Sequence, residues 1–209
     1  MKYSSILRVF MRYFREKRLR WFRQSFPPEA CRTIVDVGGT PHIWDMLRYP
    51  SAISIVNSDT RELALSNGYA TAVADGRMLP FPNRAFDLAF SNSVIEHVGG
   101  WDDMERFASE LRRVGNSYFC QTPNKWFPIE PHLGTIFLHW FPWLLHQYFV
   151  VRYLTLWGLI NKPSRATAAQ SLAEIRLLTR SELERLFPDA QIVTERFLLL
   201  PKSYTAVRS

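Results

Sequence analysis

At 209 residues, 47% hydrophobic and 14% aromatic, the chain is long enough to bury a core and too apolar for a disordered segment, so one globular domain is the simplest expectation. Two cysteines, Cys31 and Cys120, argue against a disulfide framework and a cysteine-based zinc site, and fit a reducing, cytoplasmic compartment. The net charge of +7 is local: residues 1–24 carry eight basic residues against the single acid Glu16, and the remaining 185 balance at 18 against 18.

That basic stretch comes first along the chain. On a helical wheel Tyr3, Ile6, Leu7, Phe10, Tyr13, Phe14 and Trp21 share one side, Arg8, Arg12, Arg15 and Arg23 the other, and Lys17 intrudes on the apolar side. Residues 1–28 therefore read as a basic amphipathic arm ending at Pro27-Pro28. With no uninterrupted apolar run and no small-residue cleavage site, a secretory signal is not expected. The arm suits packing on its own domain, docking on an anionic membrane surface, or contact with nucleic acid.

Residues 29–209 alternate short apolar runs with helical patterns. Strands are expected at 33–37, 52–57, 69–74, 86–91 and 117–122, each rich in β-branched or aromatic residues and bounded by turn residues. A helix is expected in "WDDMERFASELRRV", with Asp102 and Asp103 at the positive end of its dipole. A shorter one is expected in "TRELALSN", closed by Gly68. "TRSELERLF" opens on a capping box, Thr179 and Glu182, and two strand-like runs follow it. The alternation implies an α/β fold with a mostly parallel sheet covered on both faces, binding its ligand beyond the carboxyl ends of the strands.

Those ends carry polar residues and glycines. The first strand runs into Asp36-Val37-Gly38-Gly39-Thr40-Pro41, where two glycines let backbone approach a ligand. The second ends in Asn57-Ser58-Asp59, the third in Asp75 and "GRMLPFP", the fourth in "SNSVIEHV". Taken in order, these stretches resemble the class I S-adenosylmethionine-dependent methyltransferases, the broad group that includes the ubiquinone and menaquinone biosynthesis enzymes. The most specific run is "ADGRMLPFPNRAFDLAFSNSVIEHV", residues 74–98, and the resemblance covers about residues 32–125 well.

The resemblance implies a Rossmann-like seven-stranded sheet whose last strand is antiparallel, with S-adenosylmethionine as cofactor. It implies a cofactor site at Asp36, Gly38, Gly39 and Thr40 for the methionine and ribose portion, and at Asn57 with Asp59 nearby for the ribose hydroxyls. Asp75 would accept from the adenine amino group, with Gly76, Arg77 and Met78 at the ring edge, and Asn92 and Ser93 beside the amino-acid end. Two departures stand out. The family's regular glycine spacing becomes Gly38-Gly39-Thr40-Pro41, and the acid expected after the second strand is the amide Asn57.

For the acceptor side, His132 is the first candidate general base, Glu130 its orienting partner, and His97 the second candidate. The histidines and carboxylates show no metal-ligand spacing, so no metal is expected. Residues 133–160 are long and aromatic-rich but broken by Pro142, His139, His146, Gln147 and Arg152. They read as a helical apolar lid, part of an insertion at about 126–165, or as an interfacial surface that works with the basic arm to reach an apolar acceptor, rather than as a membrane span.

The function expected is methyl transfer to a small-molecule or lipid-linked acceptor, oxygen ahead of carbon. A peripheral place at the inner membrane face is an extension of the arm's pattern. Two rivals stay open: a non-catalytic nucleotide-fold binding protein, and an RNA methyltransferase. The second is disfavoured because basic charge does not continue around the presumed site, so nucleic acid is not the expected partner.

Overall fold

The computed structural model describes residues 5–64, 68–130, 135–140, 148–173 and 175–209. Strands β1 (Thr33–Val37), β2 (Ala52–Asn57), β3 (Ala70–Val73), β4 (Phe86–Asn92) and β5 (Gly115–Pro123) alternate with helices α1 (Ser5–Ser25), α2 (Pro41–Leu47), α3 (Thr60–Leu63) and α4 (Trp101–Val114). A two-stranded ribbon, β6 (Ile129–Glu130) and β7 (Thr135–Ile136), comes next. Helices α5 (Tyr148–Leu154), α6 (Leu156–Asn161), α7 (Arg165–Ala173) and α8 (Arg180–Leu186) precede the closing hairpin of β8 (Gln191–Phe197) and β9 (Leu200–Arg208).

The main sheet has the order β3-β2-β1-β4-β5-β9-β8. Pairings among β1 to β5 are parallel, and β9 runs antiparallel to both neighbours. This is the seven-stranded, mostly parallel sheet expected. Its order reverses at β1, flanked by β2 and β4, and a crevice opens where the connections leave in opposite directions.

Side chains that alternate along each strand feed two cores. Val35, Val37, Ala89, Tyr118 and Cys120 face α4 and α8, joining Met104, Phe107, Leu111 and Leu183. Ile34, Ile55, Leu88, Phe90 and Phe119 face the other way, joining Phe22 of α1 and Trp44 of α2. Helix α4 forms over the residues expected, with Asp102 and Asp103 in its first turn. Helix α8 has the capping box: the Thr179 hydroxyl accepts from the Glu182 N–H, and the Glu182 carboxylate accepts from the Thr179 N–H.

The buried stripe of α1 differs from the wheel. Phe14, Leu19 and Phe22 are buried, whereas Tyr13 is exposed. Arg18 shares the stripe, four residues from both Phe14 and Phe22. A cation is tolerated there because Glu195 of β8 meets it at 2.9 Å, and Asn92 and Gln121 accept from it as well.

Between β5 and α8, Thr155 separates α5 from α6, its hydroxyl donating to the Val151 carbonyl and accepting from the Gly158 N–H. Val151 and Ala168 form a small core with Tyr148 and Trp157. Among the described residues no helix is long and apolar enough to cross a membrane. His132 lies outside the described residues.

Candidate functional site

The crevice at the β1 switch point is a cleft of about 450 Å³, within the roughly 300–1,000 Å³ usual for small-molecule sites. Val37, Val56, Ala74 and Phe107 supply apolar wall, and Asn57, Ser58 and Asp75 supply polar groups. Gly38, Gly76, Arg77, Ser93 and His97 also line it. A flat base against the wall and hydroxyls against the polar groups would match this division, so the lining fits a nucleoside.

The turn after β1 is built around a buried carboxylate. Gly38 has φ +76°, the left-handed region glycine enters without cost, and its N–H donates to the Val56 carbonyl. Asp36 is almost wholly buried on the α1 and α2 side of β1. Its Oδ2 accepts from the Trp44 indole N–H at 2.7 Å, and its Oδ1 is buried without a hydrogen-bond partner. A side chain at Gly39 would collide with this carboxylate. Asp36, Gly39 and Thr40 thus do not line the cleft; Asp36 sits beneath the turn and carries it.

Asn57 closes the turn from β2. Its Nδ2 donates to the Gly39 carbonyl at 3.1 Å, and its Oδ1 accepts from the Asp59 N–H at 2.9 Å. An amide, unlike the acid usual there, both donates and accepts, which suits this bracing role. Asp59 caps α3 through the Arg61 N–H and pairs with the Arg61 guanidinium. It points along its own helix rather than into the cleft.

At the β3 end, the Arg77 guanidinium bridges Asp75 at 2.6 Å and Asp103 at 2.9 Å. Hydrogen bonds from Arg77 hold the Asp75 carboxyl below the usual carboxylate range, so it remains an ionised acceptor at neutral pH. Met78 is exposed and outside the lining.

At the β4 end, Ser93 adopts φ +58°, a costly conformation for a non-glycine residue. Gln121 locks it, its carbonyl accepting from the Ser93 N–H and its side chain from the Ser93 hydroxyl. Asn92 turns away to Arg18. His97 ends a short 3-10 turn, Ile95–His97, on the cleft wall. Glu130 stands in β6, its backbone paired with Thr135. Among the described residues no three His, Cys, Asp or Glu side chains converge as a metal site.

Comparison with known proteins adds sequence evidence to this geometry. A family described as a methyltransferase domain matches residues 44–117, from α2 into β5. The middle of the chain thus carries the sequence pattern of a methyltransferase domain.

Solved structures share its fold. A methyltransferase from Methanosarcina mazei is 12% identical, with TM-score 0.59 over 89% of this chain and 95% of that one. The magnesium protoporphyrin IX methyltransferase of Synechocystis PCC 6803, solved with S-adenosylhomocysteine bound, is 11% identical, with TM-score 0.62 over 100% of this chain and 90% of that one. Two uncharacterized proteins of Mycobacterium tuberculosis are 45% identical over 51 residues, 24% of this chain and 17% of their own length.

Several residues of the cleft carried no polar signal in the sequence. Val37, Val56 and Ala74 read only as strand ends, and Phe107 only as the apolar stripe of α4. Trp44 was invisible as a partner of Asp36 because helical spacing alone does not aim an indole N–H.

The Asp36 carboxyl gives a pH-dependent prediction. Burial pushes its pKa up to about 7 in the folded protein, opposed by the Trp44 hydrogen bond. The unfolded chain returns it to about 3.9. Between these values the native state holds a proton that the unfolded chain releases, so stability falls as pH rises towards 7. Above pH 7 the full cost, at most about 4 kcal/mol, is present. Asp36→Asn is therefore expected to raise Tm at pH 8 by several degrees, the gain shrinking as pH falls towards 4. Calorimetric melts across that range check it; a pH-independent difference would contradict it.

Proposed function

We propose that the protein transfers the methyl group of S-adenosylmethionine to a small-molecule or lipid-linked acceptor, with oxygen ahead of carbon as the nucleophile. The observation that carries this reading is the cleft at the β1 switch point, where Asn57, Ser58 and Asp75 meet an apolar wall. When bound, the cofactor supplies an electrophilic methyl carbon on a sulfonium.

The chain's own residues divide the work. Asp75 accepts from the adenine amino group, held ionised and oriented by Arg77. Asn57 braces the glycine turn and meets the ribose hydroxyls. Ser93 and the Gly38 turn hold the amino-acid end in register. A hydroxyl acceptor must lose a proton as the new bond forms. His132 is the first candidate for that role with Glu130 as its orienting partner, and His97, on the cleft wall, is the second. The basic helix α1 brings the enzyme to an anionic membrane surface at the inner face, where an apolar acceptor would reside.

Incubation with methyl-tritiated S-adenosylmethionine and a total lipid and small-molecule extract tests the proposal. Label is expected in the organic phase. Asp75→Ala is expected to lower it about tenfold or more, since a hydrogen bond to a charged group contributes about 1.5–3 kcal/mol. No incorporation above a protein-free control would contradict the reading.

A further inference from the structure

The closing hairpin has a tip that its fold does not explain. Phe197 pairs with Leu200, leaving Leu198-Leu199 as a two-residue loop. Such loops favour Asn-Gly or Gly-containing pairs because one or both positions require positive φ. Here Leu198 takes φ +54°, and Leu198, Leu199 and Leu200 are 81%, 87% and 48% exposed. Three consecutive leucines at the outermost turn of a strand pair, one of them strained, gain nothing from the core.

The tip's position and neighbours indicate what it meets. β9 is antiparallel to β5, so the turn projects at the carboxyl end of β5, the edge that holds the cleft. Residues 124–127 cross the base of the hairpin: the Asn124 side chain donates to the Pro201 carbonyl, and Phe127 packs edge-on against Phe197. They present Trp126, 55% exposed, with Lys125 over its ring. The Arg196 guanidinium donates to the Leu199 carbonyl at the turn. On the other side Phe14 of α1 packs against Phe197 at 5.7 Å, so the basic helix passes the same tip. Protruding leucines, an interfacial tryptophan and a cationic rim form the combination that inserts into headgroups and attracts anionic lipid.

We propose that the Leu198-Leu199 turn is a membrane-inserting wedge that seats the cleft edge on an anionic bilayer, the cations Lys125 and Arg196 lying at headgroup level. This deepens the peripheral-membrane reading above and rests on it. It places the mouth of the site against the lipid from which an apolar acceptor would enter.

Flotation of the full chain with phosphatidylglycerol-containing vesicles, and with pure phosphatidylcholine vesicles as control, tests it. The comparison is between wild type and the double variant Leu198→Ser/Leu199→Ser, whose exposed positions leave packing and Tm unaltered. Wild type is expected to float with anionic vesicles, less so at high salt, and the variant to partition at least about tenfold less. Both are expected to bind S-adenosylhomocysteine equally. Failure of wild type to float would overturn the membrane reading itself. Equal flotation of wild type and variant would overturn the wedge alone. A concentration-dependent dimer in sedimentation velocity, lost in the variant, would show that the leucines seat a second copy of the chain instead.

Discussion

Gly39→Ala is expected to destabilise the protein by about 1–3 kcal/mol, the usual cost of overpacking, and to weaken cofactor binding by an order of magnitude or more. A Cβ at this position would lie 1.8 Å from Asp36 Oδ2 and 2.3 Å from Oδ1, far inside van der Waals contact. The carboxylate has nowhere to retreat, because Trp44 holds it at 2.7 Å within an apolar cluster. The strand-to-helix turn must therefore move, and with it Asn57, whose amide grips the Gly39 carbonyl. The origin of the clash is testable by a double-mutant cycle. If it lies with the carboxylate, Gly39→Ala in an Asp36→Ala background should cost much less than in wild type, a coupling of about 1 kcal/mol or more. Additive costs in urea unfolding would place the strain elsewhere in the turn.

Arg18→Ala is expected to cost about 3–5 kcal/mol, the range for breaking a buried ion pair by removing one partner. The side chains of Arg18 and Glu195 are only 9% and 11% exposed. Burial pushes the Glu195 carboxyl upward, but the nearby Arg18 and Lys202 cations more than offset it and hold the group below its ordinary value. Removing Arg18 leaves Glu195 with Lys202 and the Ser203 hydroxyl, and strips Asn92 and Gln121 of a donor. Since Gln121 also fixes the Ser93 hydroxyl, the end of β4 at the cleft should loosen too. Arg18→Lys should recover only part of the loss, because a single ammonium cannot span three acceptors in fork geometry. Chemical denaturation measures both variants; a cost below 1 kcal/mol would mean the group behaves as a surface pair.

The elements readable in the sequence are those whose signals are local. Strands β1 and β2 and helix α4 follow from period and turn residues alone, and the capping box of α8 from two residues three apart. The count of seven strands and the reversed last strand came with the family resemblance, whereas the strand order is seen only in the structure. What escaped is tertiary. Arg18 reads as one more cation in a basic arm, and its acceptors on β4, β5 and β8 lie 74, 103 and 177 residues away. The run "RFLLL" reads as continuing strand, since no propensity puts leucine in a left-handed turn. The displaced glycine pattern at 38–39 becomes intelligible only when the Asp36 carboxylate is seen beneath it: Gly39 is small to clear that group, and Gly38 supplies the positive φ.

The central claim is that this shortened turn, together with the Asp75 end of the cleft, still holds the methyl donor. Isothermal titration of the purified full chain with S-adenosylhomocysteine tests that most directly. Micromolar binding at one site per chain is the result predicted, and absence of heat at millimolar ligand, with the protein shown to be folded, would contradict it.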